Sequence, residues 1–262
     1  MWAGPSRIAA RWTISNSTTS KEQLYPMHRP ANWLRRVLSL GLLVFALAFP
    51  GNRPHAESDD VDLALVLAVD CSFSVDASEF ALQMEGLGQA FKRPEIKAAI
   101  AHGNLQRIAV SVIEWSDANS QTIVLPWTII AGSADADEFA DRLLVTRRDL
   151  AEGGTSISSA LLYAAALLTS APTSSRHVID VSSDGRNNIG VPVAGVRDRL
   201  VSRGITINAL TILNEWPTLN IYFENQVAGG EGHFVIPADT YEAYAEAIYR
   251  KLLREITGPG IA

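Results

Sequence analysis

Asp70-Cys71-Ser72-Phe73-Ser74 places one carboxylate and two hydroxyls at alternate positions directly after the apolar run Leu63–Val69. Two later stretches, Gly153-Gly154-Thr155-Ser156 and Ser182-Ser183-Asp184-Gly185, offer a third hydroxyl and a second carboxylate. All five groups are oxygen donors of the kind that hard divalent cations select. In an Asp-x-Ser-x-Ser turn the alternate side chains can converge on one point. Asp70 would then be the charged ligand, with Ser72 and Ser74 as neutral ones and Thr155 joining from a neighbouring loop. Asp184 would bind the ion directly or through water. A shell with so few charged protein ligands leaves the ion electrophilic, so a carboxylate from outside could complete it. Magnesium is the first expectation, and manganese or calcium share the same oxygen preference. The rival reading is a polar turn capping the helix that begins near Asp76. It leaves Thr155 and Asp184 unexplained.

The elements that must position these groups alternate along the chain. Strand Leu63–Val69 is followed by a helical pattern from Asp76 to Phe91, with Phe80, Met84, Leu87 and Phe91 on one face. Ile108–Trp115 and Thr122–Ile130 are β-branched and aromatic runs joined by Ser116–Ser120, which predicts a hairpin. Helices are expected over 135–145, 157–168, 191–202, 218–227 and 241–256, and strands over 178–183, 205–213 and 233–236. Strands that are apolar on both faces, alternating with helices, call for a mostly parallel sheet covered on both sides. The expected fold is therefore α/β, a doubly wound, Rossmann-like sheet with one antiparallel edge strand. Ligands of such sheets bind beyond the carboxyl ends of the strands, where Asp70 and Asp184 fall.

Charge and targeting signals narrow the function classes. From Met27 the chain reads as a basic segment (Arg29, Arg35, Arg36), an apolar run Val37–Phe49, and Pro50-Gly51. This is the grammar of a signal peptide, and an apolar core of about thirteen residues falls short of the roughly twenty a spanning helix needs. Cleavage is expected after Ala56, with Ala46-Leu47-Ala48 as the second choice, which predicts a periplasmic or secreted product with no stable membrane span. Residues 1–26 read as an over-extended start or a disordered arm, 27–56 as the signal, and 57–262 as one domain. Residues 1–56 hold seven of the 22 basic residues and one of the 28 acids, so the remainder carries 15 against 27, a net −12. That balance disfavours nucleic acid or an anionic membrane as partner. Cys71, the single cysteine, excludes an intramolecular disulfide and reads as a small buried thiol.

Other residues attract weaker readings. Asn187 and Asn188 could line the rim of the site, and Asp117 could support it from behind. His177 and His233 read as structural, without Cys or His neighbours at zinc spacing. Trp115, Trp127 and Trp216 read as core or rim packing, an exposed one near the site being a potential anchor. No phosphate-cradling glycine motif follows a strand, and no nucleophile elbow appears. A metal-assisted hydrolase or phosphatase is the enzymatic alternative, but the sequence supplies no evident general base beside the two aspartates. A scaffold with a purely structural site is the third reading.

Asp70-x-Ser72-x-Ser74, Thr155 and Asp184-Gly185, in this order on this strand-helix rhythm, resemble the von Willebrand factor A domain with its metal-ion-dependent adhesion site. The resemblance spans Val61 to Ile256 and fills all five motif positions. Asp62–Asp70, Ser183–Asn188 and the stretch from Gly229-Gly230 to Phe234 further resemble an exported bacterial family of this fold catalogued as a domain of unknown function. The resemblance implies the fold and a cation site at Asp70, Ser72, Ser74, Thr155 and Asp184, and it implies little about the ligand. The expectation from the ligand chemistry is a protein partner that supplies an acidic side chain to the ion, hence adhesion or scaffolding rather than turnover. Phe73 is bulkier than the Gly common at its position.

Overall fold

The computed structural model describes residues 59–258. The expected signal peptide and N-terminal arm lie outside the described residues. Six strands form one sheet in the order β3-β2-β1-β4-β5-β6. They are β1 (Leu63–Asp70), β2 (Ile108–Trp115), β3 (Gln121–Ile130), β4 (His177–Ser183), β5 (Ile205–Ile212) and β6 (Val235–Ala238). Every neighbouring pair is parallel except β2 with β3, which closes one edge as an antiparallel hairpin. The expected doubly wound α/β architecture is thus present, including the antiparallel edge strand. Seven helices pack on it: α1 (Ala77–Lys92), α2 (Pro94–Ala101), α3 (Ser133–Val145), α4 (Ile157–Leu168), α5 (Val193–Val201), α6 (Leu219–Gln226) and α7 (Tyr244–Thr257).

The period of two along β1 explains why both faces need covering. Leu63, Leu65, Leu67 and Val69 point into a core layer shared with Phe80 and Met84 of α1, Ile96 of α2, Phe139 of α3 and Ile248 of α7. Ala64, Val66 and Ala68 point the other way, against Leu161 of α4, Val196 of α5 and Phe223 of α6. All eight residues of β1 are buried, so the strand reads as an unbroken apolar run rather than an alternation.

Three departures from the sequence reading have local causes. Helix α2 lies in a stretch to which the sequence reading assigned no element; Pro94 occupies its first turn, where the missing N–H costs nothing. The last strand starts at Val235 rather than His233. Asn208 Oδ1 accepts from the Phe234 N–H at 3.1 Å, and the His233 ring Nδ1 lies 2.7 Å from the Gly230 carbonyl, so His233 belongs to the preceding turn. Pro237 sits within β6, which is tolerable because β6 is an edge strand among the described residues.

Candidate metal centre

Asp70 is the last residue of β1, and Asp184 follows the last residue of β4, its neighbour in the sheet. Both carboxylates are fully buried. Asp70 Oδ1 accepts from the Ser72 backbone N–H at 2.7 Å, which folds the loop back on the strand end. Its Oδ2 accepts from the Ser183 hydroxyl at 2.5 Å, tying β1 to β4. Ser74 Oγ donates to Asp184 Oδ1 at 2.7 Å and lies 3.4 Å from Ser72 Oγ. The Asp184 Oδ2 accepts from the Tyr241 hydroxyl at 3.1 Å. Asp70, Ser72, Ser74 and Asp184 are therefore linked within one continuous hydrogen-bonded group.

Thr155 reaches the same place from the other side. A β-carbon built on Gly185 would stand 3.4 Å from Thr155 Oγ1, so the hydroxyl lies against the Asp184-Gly185 turn. Asn188 clamps this loop: its side-chain carbonyl accepts from the Thr155 N–H at 2.9 Å, and its own backbone N–H donates to the Thr155 carbonyl at 2.9 Å. Asn187 Oδ1 accepts from the Ser158 N–H at 3.1 Å, at the first turn of α4. The two asparagines thus act on the backbone that carries Thr155. Asp117 Oδ2 lies 3.4 Å from the Gly154 N–H, the supporting place expected of it. The Phe73 N–H donates to the Gly153 carbonyl at 2.9 Å and joins the two loops. Its side chain is 78% exposed, so its bulk meets no obstacle.

The electrostatics fit a cation. Burial, reinforced by the nearby charge of Asp184, pushes the Asp70 carboxyl up to about 7. Burial likewise raises Asp184, against the lowering effect of its hydrogen bonds from Ser74 and Tyr241. No Lys or Arg forms an ion pair with either carboxylate among the described residues. Arg148 is near, but its guanidinium donates to the carbonyls of Cys71 at 2.5 Å, Val75 at 2.7 Å and Leu150 at 3.0 Å. Two buried carboxylates that no Lys or Arg pairs with among the described residues, ringed by hydroxyls, suit a hard divalent cation. Such an ion would supply positive charge and open coordination positions; the chain would supply Asp70, Ser72, Ser74, Thr155 and Asp184 to hold it.

Several supporting residues escaped the sequence reading. Glu114 Oε2 on β2 accepts from the Asp149 and Leu150 N–H groups at 3.0 and 3.2 Å, fixing the segment that carries Arg148. A carboxylate inside an otherwise apolar strand was the available signal, since a buried charge must find partners. Tyr241 and Ser183 had no such signal. Cys71 is buried as expected, its thiol donating to the Trp115 carbonyl at 3.2 Å and pushed up to about 12 chiefly by burial. Trp115 is buried, Trp127 half-buried and Trp216 exposed.

The fold is that of a von Willebrand factor A-type domain. The chain belongs to the family described as Protein of unknown function (DUF1194), matched over residues 60–260. Its structure is similar to the pilus adhesin SpaC from Lactobacillus rhamnosus GG, at 14% identity and a TM-score of 0.54, over 75% of this chain and 31% of that one. It is also similar to a von Willebrand factor type A protein from Catenulispora acidiphila, at 17% identity and 0.52, over 77% and 44%. A third similar structure is proximal thread matrix protein 1 from the mussel byssus with a zinc occupied MIDAS motif, at 14% identity and 0.50, over 75% and 46%. At such identities the likeness is one of fold, and the chain covers less than half of each of these proteins. No curated protein matches by sequence. Among the described residues, no helix is long and apolar enough to cross a membrane.

Proposed function

We propose that this protein is an exported domain that binds a partner protein through a divalent cation, most simply magnesium, held by Asp70, Ser72, Ser74, Thr155 and Asp184. The observation that carries this reading is the pair of buried carboxylates at adjacent strand ends, gathered with hydroxyls and, among the described residues, in no ion pair with a Lys or Arg. The partner would complete the shell with an acidic side chain. Export rests on the signal-like segment from Met27 to Ala56.

The surface around the site supports a protein partner. Phe73, Ile189, Val191, Trp216 and Ile221 are exposed, and all lie on segments that follow the carboxyl ends of β1, β4 and β5. Apolar side chains held in water beside a polar centre are a common feature of protein-binding surfaces. Two proteins of similar structure, a pilus adhesin and a thread matrix protein, point the same way.

The test is recovery of partners from the source cell in magnesium and then in EDTA. The reading expects a partner that is lost on chelation and lost in Asp184→Ala; identical recoveries in both buffers would overturn it. Incubation with generic phosphate esters is expected to give no turnover. Turnover abolished by Asp184→Ala would favour the hydrolase alternative instead.

A further inference from the structure

Arg186 stands two residues beyond Asp184, exposed at the same rim. Its guanidinium carbon lies 5.3 Å from the Trp216 ring centroid and 5.4 Å from that of Tyr222. Nη2 donates to Thr218 Oγ1 at 3.2 Å. These contacts hold the side chain beside a pocket of about 260 Å³ that it lines with Thr218, Ile221, Tyr222 and Asn225. Other arginines of the fold are committed elsewhere: Arg93 to Glu246, Arg197 to Asp198, and Arg148 and Arg176 to backbone carbonyls. Arg186 makes no ion pair with a carboxylate among the described residues.

A guanidinium has five donors in a flat fork that matches a carboxylate in two parallel hydrogen bonds. Here one hydrogen bond and two aromatic rings restrain the side chain, so less rotational freedom remains to be lost when an anion arrives. The neighbourhood is otherwise acidic, since Glu79 feels the charges of Asp76, Asp184 and Glu215. Of the two arginines near the cation site, Arg148 is taken up by backbone carbonyls, whereas Arg186 stands exposed at the rim. A singly charged carboxylate suits this setting better than a phosphate, which would bring nearly two negative charges among those acids.

We infer that Arg186, backed by Trp216 and Tyr222, is a second anchor that takes a carboxylate of the partner protein. This rests on the cation-dependent reading, in which a first carboxylate of the same partner completes the ion's shell. The partner segment then carries two acidic residues and an apolar side chain, the latter meeting Trp216 and Ile221. Partner choice comes from the spacing between its two acids, because the cation alone accepts any accessible carboxylate.

The experiment uses random twelve-residue peptides displayed on phage and selected against the immobilised protein in magnesium. Enriched peptides are then measured as synthetic probes by fluorescence polarisation. The expected result is paired acidic residues at a preferred spacing, with Arg186→Gln weakening binding tenfold or more. Magnesium affinity of Arg186→Gln, measured by calorimetry, stays at the wild-type value, and Arg186→Lys recovers only part of the peptide affinity. Enriched peptides with a single acid, peptides indifferent to Arg186→Gln, or no enrichment over the Arg186→Gln protein would each overturn the second anchor. Binding that survives EDTA and Asp184→Ala yet needs Arg186 would instead overturn the cation-dependent reading.

Discussion

The Tyr241 hydroxyl donates to Asp184 Oδ2 at 3.1 Å, while Ser74 donates to Oδ1 at 2.7 Å. One carboxylate is thereby gripped from the loop after β1 and from the segment that leads into α7. Its orientation is fixed by two elements far apart in the chain.

Tyr241→Phe tests that grip. The substitution leaves a buried carboxylate oxygen without its partner and costs about 1–3 kcal/mol. Urea unfolding in EDTA should show the loss, and a magnesium titration should show affinity falling severalfold because Asp184 is freer to turn. An unchanged affinity would mean that Ser74 alone orients the carboxylate.

Cation binding should stabilise the protein, and removal of one carboxylate should do the opposite of what a simple contact count suggests. The Asp70 and Asp184 charges oppose each other, and burial disfavours both. Asp184→Asn should therefore raise or preserve stability in EDTA while abolishing the stabilisation by magnesium. For the wild type, ligand at a hundred times its dissociation constant adds about 2.7 kcal/mol. Thermal melts of both proteins with and without magnesium read the crossing directly. Thr155→Ala should keep the fold and weaken the magnesium response, since its hydroxyl has only a 3.4 Å contact with Asn188 Nδ2.

Arg148 bridges three carbonyls from two segments, those of Cys71 and Val75 in the loop after β1 and that of Leu150. A point-charge ammonium cannot reproduce that fork. Both Arg148→Ala and Arg148→Lys should destabilise by about 2–3 kcal/mol. Hydrogen exchange should quicken at residues 71–75 before the rest of the sheet responds.

The inner strands were legible because they are largely apolar runs, and β1 shows this most plainly, with every residue buried. The alternate spacing of Asp70, Ser72 and Ser74 fits a converging loop, and the structure places Thr155 and Asp184 beside that loop; that the five hold an ion is the proposal made above. Tyr241 and Arg148 were not, because their contacts cross 57 and more than 70 residues of sequence and leave no periodic trace. Helix α2 is short, eight residues with Pro94 in its first turn, and the sequence reading assigned that stretch no element. Lys251 lay hidden on the apolar face of a strongly amphipathic helix. Asp180, in the middle of the apolar run of β4, was a signal that passed unread.

Lys251 of α7 is fully buried, with its Nζ 2.5 Å from Asp180 Oδ1 and 2.6 Å from Glu255 Oε1. Asn208 Nδ2 adds a 3.0 Å hydrogen bond to Glu255 Oε1. Two carboxylates thus share one ammonium away from water, an arrangement favoured when one carboxylate holds a proton. Burial, then the charge of Glu255, pushes Asp180 from 3.8 to about 7, against the opposing pull of Lys251. Between those values the folded chain keeps a proton that the unfolded chain has released. Its stabilising contribution is complete below about pH 4 and is lost as pH rises through about 7. Asp180→Asn removes the titrating group and leaves Lys251 paired with Glu255 alone, so its unfolding free energy should be flatter than wild type from pH 4 to 7 and match or exceed it at pH 8. Asp70 contributes a slope of the same sign in cation-free protein, and it persists in Asp180→Asn, so the difference between the two proteins isolates the buried triad. Equal slopes in both would place the titration elsewhere. Lys251→Met, which strands both carboxylates, should cost about 3–5 kcal/mol at neutral pH.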